Sequence, residues 1–127
     1  TLAAKGESNH WITMDGPESL GGNNAGIRPK ELVLIALAGC TGSDVVSILL
    51  KKKVKLIDFE INITAEQTDE HPKVFAKIDL EYVFHGKDIK PNDVERAIEL
   101  STETYCGVSA MLKKAMPINH TYRIVEC

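Results

Sequence analysis

The sequence predicts an α+β domain, and three observations predict it. From Leu32 to Leu50 apolar or small residues occur at every angle around a helix, which is the pattern of a long central helix buried on all sides. Two later segments, around Phe59 to Thr64 and Val74 to Phe84, alternate between apolar and polar residues, the period of antiparallel strands with one wet face. The order of elements is short strands, long helix, two strands, a helix pair and a last strand, which separates helices from strands rather than interleaving them.

Each element has its own local reason. Residues 1 to 28 are rich in Gly, Ser, Asn and Glu, with a strand-like run His10-Trp-Ile-Thr-Met14 and a loop Gly21-Gly-Asn-Asn-Ala-Gly26, so one or two short strands and a loop are expected. Pro29 suits the first turn of the long helix, Glu31 suits its positive end, and Lys51 to Lys53 suit its negative end. Gly39 and Gly42 each cost that helix about 1 kcal/mol against alanine, a cost tolerated where another backbone comes close. In the strands, Phe59, Ile61 and Ile63 oppose Glu60, Asn62 and Thr64, and Ile78, Leu80, Tyr82 and Phe84 oppose Lys77, Asp79 and Glu81. Pro91 and Asn92 open an amphipathic helix carrying Val94, Ala97 and Ile98, Cys106-Gly107 breaks it, and a short helix runs from Val108 to Lys114. After Pro117 a strand from Ile118 to Glu126 is expected.

Bulk properties narrow the function. A chain of 127 residues suits one domain over residues 1–127, and 43% apolar with 26% charged residues is ordinary for a soluble protein. A net charge of -3 gives no basic footprint for nucleic acid. Three cysteines are too few for a secreted disulfide framework. The uninterrupted apolar run Leu32 to Cys40 falls short of the roughly 20 residues that cross a bilayer, and no basic-then-apolar leader opens the chain, which begins at Thr1. A cytoplasmic protein that binds neither nucleic acid nor membrane is therefore expected.

Two cysteines carry the chemistry. Cys40 sits inside the apolar helix and Cys106 lies 66 positions later in Thr104-Tyr-Cys-Gly-Val, with no CxxC and no neighbouring zinc pattern. If they meet, they form a dithiol able to cycle through a disulfide. Read by itself, a thiol in an apolar helix is an inert core cysteine, because burial raises its pKa. Asp44, one turn on, shares the face of Cys40 and opposes its ionisation, while Glu31, nine positions away, points about 180° around the helix. Cations are scarce: of three arginines only Arg28 lies just ahead of the helix. Cys127 is given no role. His10, His71, His85 and His120 show no ligand spacing, with His120 read as a packed neutral side chain, so no metal and no cofactor are expected. No G-x-S-x-G elbow supports a serine hydrolase.

The run Arg28-Pro-Lys-Glu-Leu-Val-Leu-Ile-Ala-Leu-Ala-Gly-Cys40-Thr-Gly-Ser-Asp-Val-Val-Ser-Ile-Leu49, followed by Glu70-His-Pro72 and Glu103-Thr-Tyr-Cys106-Gly-Val-Ser109, resembles the OsmC/Ohr family of osmotically induced and organic-hydroperoxide-resistance proteins, in a divergent OsmC-like branch. The likeness runs from about Gly21 to the end and includes the separation of the two cysteines. It implies an OsmC-like fold and an intertwined homodimer with the long helices at its centre. It also implies a cysteine-based peroxidase: Cys40 attacks the peroxide and becomes a sulfenic acid, Cys106 condenses with it to a disulfide, and an external dithiol, often a lipoyl one, resets the pair. The family's usual glutamate after the helix-opening proline is Lys30 here, with Glu31 next, and no arginine precedes Arg28. Arg28 is therefore carried as the thiolate's cation and Glu31 as the group that orients it. Apolar surroundings favour organic hydroperoxides over hydrogen peroxide. Two other readings stay open: a non-catalytic protein that binds an apolar ligand at the dimer cleft, and a thiol redox sensor.

Overall fold

A computed structural model describes residues 1–127, in the order β1 (Leu2–Lys5), β2 (Trp11–Met14), a 3-10 turn (Glu18–Leu20), α1 (Pro29–Lys51), β3 (Leu56–Gln67), β4 (Phe75–Gly86), α2 (Pro91–Leu100), a π-helical turn (Ser101–Tyr105), α3 (Gly107–Leu112) and β5 (Ile118–Glu126). The α+β class and the element order are those expected. The chain divides into two compact units, residues 1–35 and 36–127.

In the first unit β1 and β2 pair antiparallel from Leu2 opposite Met14 to Lys5 opposite Trp11. The loop after β2 winds about Asp15, whose carboxylate accepts the Thr1 hydroxyl at 2.8 Å and the backbone N–H groups of Gly16, Asn23 and Ala25 at 2.8, 3.1 and 3.2 Å. Those donors hold its pKa well below the usual carboxylate range.

The second unit is built on a three-stranded sheet in the order β3-β4-β5. β3 and β4 form the expected antiparallel pair, with Ile61 opposite Tyr82 and Ile63 opposite Leu80. β5 pairs parallel with β4, Leu80 opposite His120 and Tyr82 opposite Tyr122, after the crossover through α2 and α3 that a parallel neighbour requires. On β4 the inward positions Ile78, Leu80, Tyr82 and Phe84 are fully or almost fully buried. Phe59, Tyr82 and Phe84 cluster with ring centroids 5.2 to 6.5 Å apart, close enough for aromatic pairs to contribute about 0.5–1.5 kcal/mol each beyond burial.

Helix α1 departs from the expectation of burial on every side. Within one chain its buried positions are Leu37, Thr41, Gly42, Val45 and Leu49, a single stripe at helical spacing, while Ile35 is 47% and Leu50 64% exposed. A lone three-stranded sheet covers one face of a helix and no more. Leu37, Val45 and Leu49, each fully buried, contribute about 1.5–3 kcal/mol apiece. The 23-residue helix is long and apolar enough to cross a membrane by length and composition, although this stripe packs into protein. Gly42 meets side chains rather than another backbone: a Cβ there would stand 2.9 Å from Ile61 Cδ1 and 3.5 Å from Phe59 Cε2. At Gly39 a Cβ would meet nothing within 4 Å.

Candidate functional site

Helix α1 presents Cys40, Thr41 and Asp44 toward the C-terminal end of α2. There the chain does not continue as α-helix. Residues Ser101–Tyr105 form a π-helical turn, closed by the Cys106 N–H donating to the Ser101 carbonyl at 2.7 Å. Such turns insert a residue and re-aim the chain beyond them, and here the turn brings Cys106 to the start of α3. Cys106 is buried, at 3% exposure, and its sulfur accepts the Ser109 N–H at 3.3 Å as the cap of that helix.

The sulfurs of Cys40 and Cys106 and a carboxylate oxygen of Asp44 all lie within 4.8 Å of one another. Both cysteines are free thiols, Cys40 partly accessible and Cys106 buried. Burial, above all, pushes the Cys106 thiol up to about 11; hydrogen bonding with Cys40 and the negative charges of Cys40 and Asp44 add to it, against the Ser109 N–H. The two sulfurs, 66 positions apart in the chain, therefore lie close together, and burial favours the neutral form of the Cys106 thiol.

A chain of polar groups that sequence reasoning missed lies behind the pair. Ser101 Oγ donates to Asp44 Oδ2 at 3.0 Å, Thr41 Oγ1 lies 2.9 Å from Ser101 Oγ and 3.1 Å from the Tyr82 hydroxyl, and that hydroxyl lies 2.9 Å from His120 Nδ1. Thr41, Ser101 and Tyr82 are completely buried, and each has its partner, which removes the cost of about 1–3 kcal/mol that an unpaired buried polar group carries. Burial raises the Tyr82 phenol to about 12, so it stays protonated. Burial lowers the His120 pKa, against the charge of Glu103, which favours neutral imidazole. The signal was present in the sequence: Tyr82 falls on the apolar face of its strand, Thr41 on the 37-45-49 stripe, and Ser101 four residues after Ala97. A polar residue on a buried face needs a partner, and three such residues in one domain find one another.

Beside the pair opens a cavity of about 460 Å³, lined by Asp44, Ser47, Ile48, Lys51, Lys52, Leu100 and Tyr105. Its lining combines apolar Ile48, Leu100 and Tyr105 with charged Asp44, Lys51 and Lys52.

Arg28 and Glu31 belong to the unit of residues 1–35, and their side chains are engaged there. The Arg28 guanidinium donates to Asn24 Oδ1 at 2.9 Å and to the carbonyls of Gly26 and Asp15 at 3.3 and 3.5 Å. Glu31 Oε1 accepts the Arg28 backbone N–H at 3.2 Å. Cys127 is exposed at the chain end, with its backbone N–H on the Gly86 carbonyl at 3.1 Å.

With this arrangement in view, comparison with known proteins decides the family. The model of the OsmC-like protein family matches residues 21–121. The chain belongs to that family. It is 41% identical over 128 residues to protein YhfA of Escherichia coli strain K12, covering 98% of this chain and 90% of YhfA. Its fold is similar to that of the OsmC-like protein from Mycoplasma pneumoniae, at a TM-score of 0.78 and 17% identity over 98% of this chain and 94% of that one. It is likewise similar to an organic hydroperoxide resistance protein OsmC from Legionella pneumophila, at a TM-score of 0.65 and 18% identity over 95% and 93% of the two chains.

Proposed function

We propose that this OsmC-like protein is a cysteine-based peroxidase for organic hydroperoxides. The observation that carries the proposal is the convergence of the Cys40 and Cys106 sulfurs within 4.8 Å. A disulfide bond measures about 2.05 Å, so joining them takes a movement of under about 3 Å. Cys40, the more accessible thiol, attacks the terminal oxygen of the hydroperoxide; the O–O bond breaks, an alcohol leaves and Cys40 becomes a sulfenic acid. Cys106 then attacks that sulfur, water leaves, and a Cys40-Cys106 disulfide forms. A dithiol of the lipoyl type returns both thiols, itself becoming a disulfide.

The apolar stretch Ile48, Leu100 and Tyr105 of the neighbouring cavity suits the alkyl part of an organic hydroperoxide, and hydrogen peroxide gains nothing there. Roles for Arg28 and Glu31 in this reading rest on the family resemblance alone, since both side chains are engaged within residues 1–35. A homodimer gives the uncovered face of α1 its partner, and a cytoplasmic location suits reduced thiols.

The test is consumption of an alkyl hydroperoxide with dihydrolipoamide as reductant. Wild-type protein turns over, Cys40→Ser does not, and Cys106→Ser stalls after one oxidation. Full activity in Cys40→Ser rejects the mechanism. A redox sensor is the second reading, favoured by the negative charge of Asp44 beside the thiols, which opposes fast thiolate attack. It predicts the same disulfide without recycling by the dithiol.

A further inference from the structure

The electrostatics of the site pose a problem that peroxide chemistry does not answer. The charged groups acting on Cys106 are Cys40 and Asp44, all negative when ionised, and nothing within residues 36–127 forms an ion pair with Asp44. Two soft donors and one hard donor converge there, within 4.8 Å of one another. We infer that the reduced site binds one thiophilic divalent cation of the zinc class through Cys40 Sγ, Cys106 Sγ and one Asp44 oxygen.

Four features support this site. The donor types suit zinc, which takes thiolates and carboxylates and tolerates three protein ligands with a fourth position left to water. The spacing also suits it: tetrahedral zinc bonds of about 2.3 Å to sulfur and 2.0–2.2 Å to oxygen set donors about 3.4–3.8 Å apart, so the 4.8 Å limit observed here leaves about 1 Å of closure. The donors are held from behind, Asp44 Oδ2 by the Ser101 hydroxyl at 3.0 Å and Cys106 Sγ by the Ser109 N–H at 3.3 Å, and Thr41 and Tyr82 anchor Ser101 in turn. Outer partners of this kind fix ligand orientation and commonly govern affinity. Finally, Asp44 lines the 460 Å³ cavity, which gives an ion a way in. The sequence showed no ligand pattern because Cys40 and Asp44 are one helical turn apart while the third donor comes from 66 positions later.

Binding expels the two thiol protons to solvent and changes no oxidation state. It concerns the reduced thiols alone and is independent of turnover with peroxide. A Cys40-Cys106 disulfide removes both sulfur donors, so metal and disulfide exclude one another, and a bound ion shields the pair from oxidation.

The experiment is anaerobic titration of the reduced full-length protein with Co²⁺, read by sulfur-to-cobalt charge-transfer absorption, then displacement with Zn²⁺. The expected result is one ion per chain, with the band lost in Cys40→Ser and in Cys106→Ser and kept in Cys127→Ser. Asp44→Asn and Ser101→Ala are expected to weaken affinity about 10–100-fold. Because a variant can misfold, a second measurement uses the wild type alone: Zn²⁺ slows alkylation of Cys40 and leaves that of Cys127 unchanged. Absence of the band in reduced wild type overturns the inference. So does a band that survives in either Cys40→Ser or Cys106→Ser, or one that disappears with Cys127.

Discussion

At the residue scale the two site thiols are made unequal by their surroundings. Cys106 is 3% exposed and burial pushes its pKa up to about 11, so little of it is thiolate near neutrality. Alkylation with peptide mass spectrometry as the readout is expected to label exposed Cys127 well ahead of buried Cys106, with Cys40 also ahead of Cys106. Labelling of Cys106 first would mean that the turn before α3 opens readily. His120 adds a pH dependence. Burial lowers its folded pKa below the ordinary 6.5, so the unfolded chain binds the proton more tightly. Its contribution is present in full above pH 6.5 and declines as pH falls from there toward the folded pKa, each tenfold change in proton affinity being worth about 1.4 kcal/mol. Urea unfolding across this window is expected to show stability falling with pH, and His120→Asn is expected to flatten that slope.

At the element scale the π-helical turn is the device that makes the site. Its Cys106 N–H to Ser101 carbonyl bond encloses one residue more than an α-helical turn, and the extra residue sets the direction of Cys106. Deleting Thr104 restores α-helical spacing and rotates Cys106 and α3 by about 100°. The expected outcome is loss of the Cys40-Cys106 crosslink under hydroperoxide, at a stability cost of about 0.5–3 kcal/mol measured by denaturant. Retention of the crosslink would show that the turn does not direct Cys106. Much of this scale was legible in the chain. The alternation at Phe59 to Ile63 and Ile78 to Phe84 gave β3 and β4, and Pro91 gave the start of α2, because period and first-turn proline are local signals. The π turn was not legible, since Ser101 to Tyr105 has ordinary helical composition and its hydrogen bonding is decided by what Cys106 and Ser101 pack against. The parallel pairing of β5 was likewise invisible, because it depends on the path of the α2–α3 crossover and not on residues within β5. Of the site, Cys40 and Asp44 were legible as neighbours on one helix face, and Cys106 as a thiol at a helix end. Of the Ser101-Thr41-Tyr82-His120 chain, the sequence showed polar residues on buried faces but not their partners, because the chain joins four elements at sequence separations that no local pattern spans.

At the scale of the whole molecule, the apolar content of α1 exceeds what one chain covers. Leu50 is 64%, Tyr105 61% and Met111 67% exposed, more large apolar surface than solubility favours. A homodimer, if formed as proposed, is expected to cover part of this surface. Sedimentation equilibrium is expected to give twice the chain's 14.0 kDa, and Leu50→Glu together with Met111→Glu to shift the protein toward monomer. A wild-type mass of one chain would leave that face uncovered and rule out the dimer.

Cys40 and Cys106 are proposed to act as one redox unit, and everything said of turnover depends on it. The measurement closest to this pairing is peptide mapping of the non-reduced wild-type protein after one equivalent of an alkyl hydroperoxide. The expected product is a linked Cys40-Cys106 peptide pair, two hydrogens lighter than the reduced peptides, with Cys127 unmodified. Cys40 oxidised to sulfinic acid with Cys106 still a free thiol, or oxidation confined to Cys127, would contradict it.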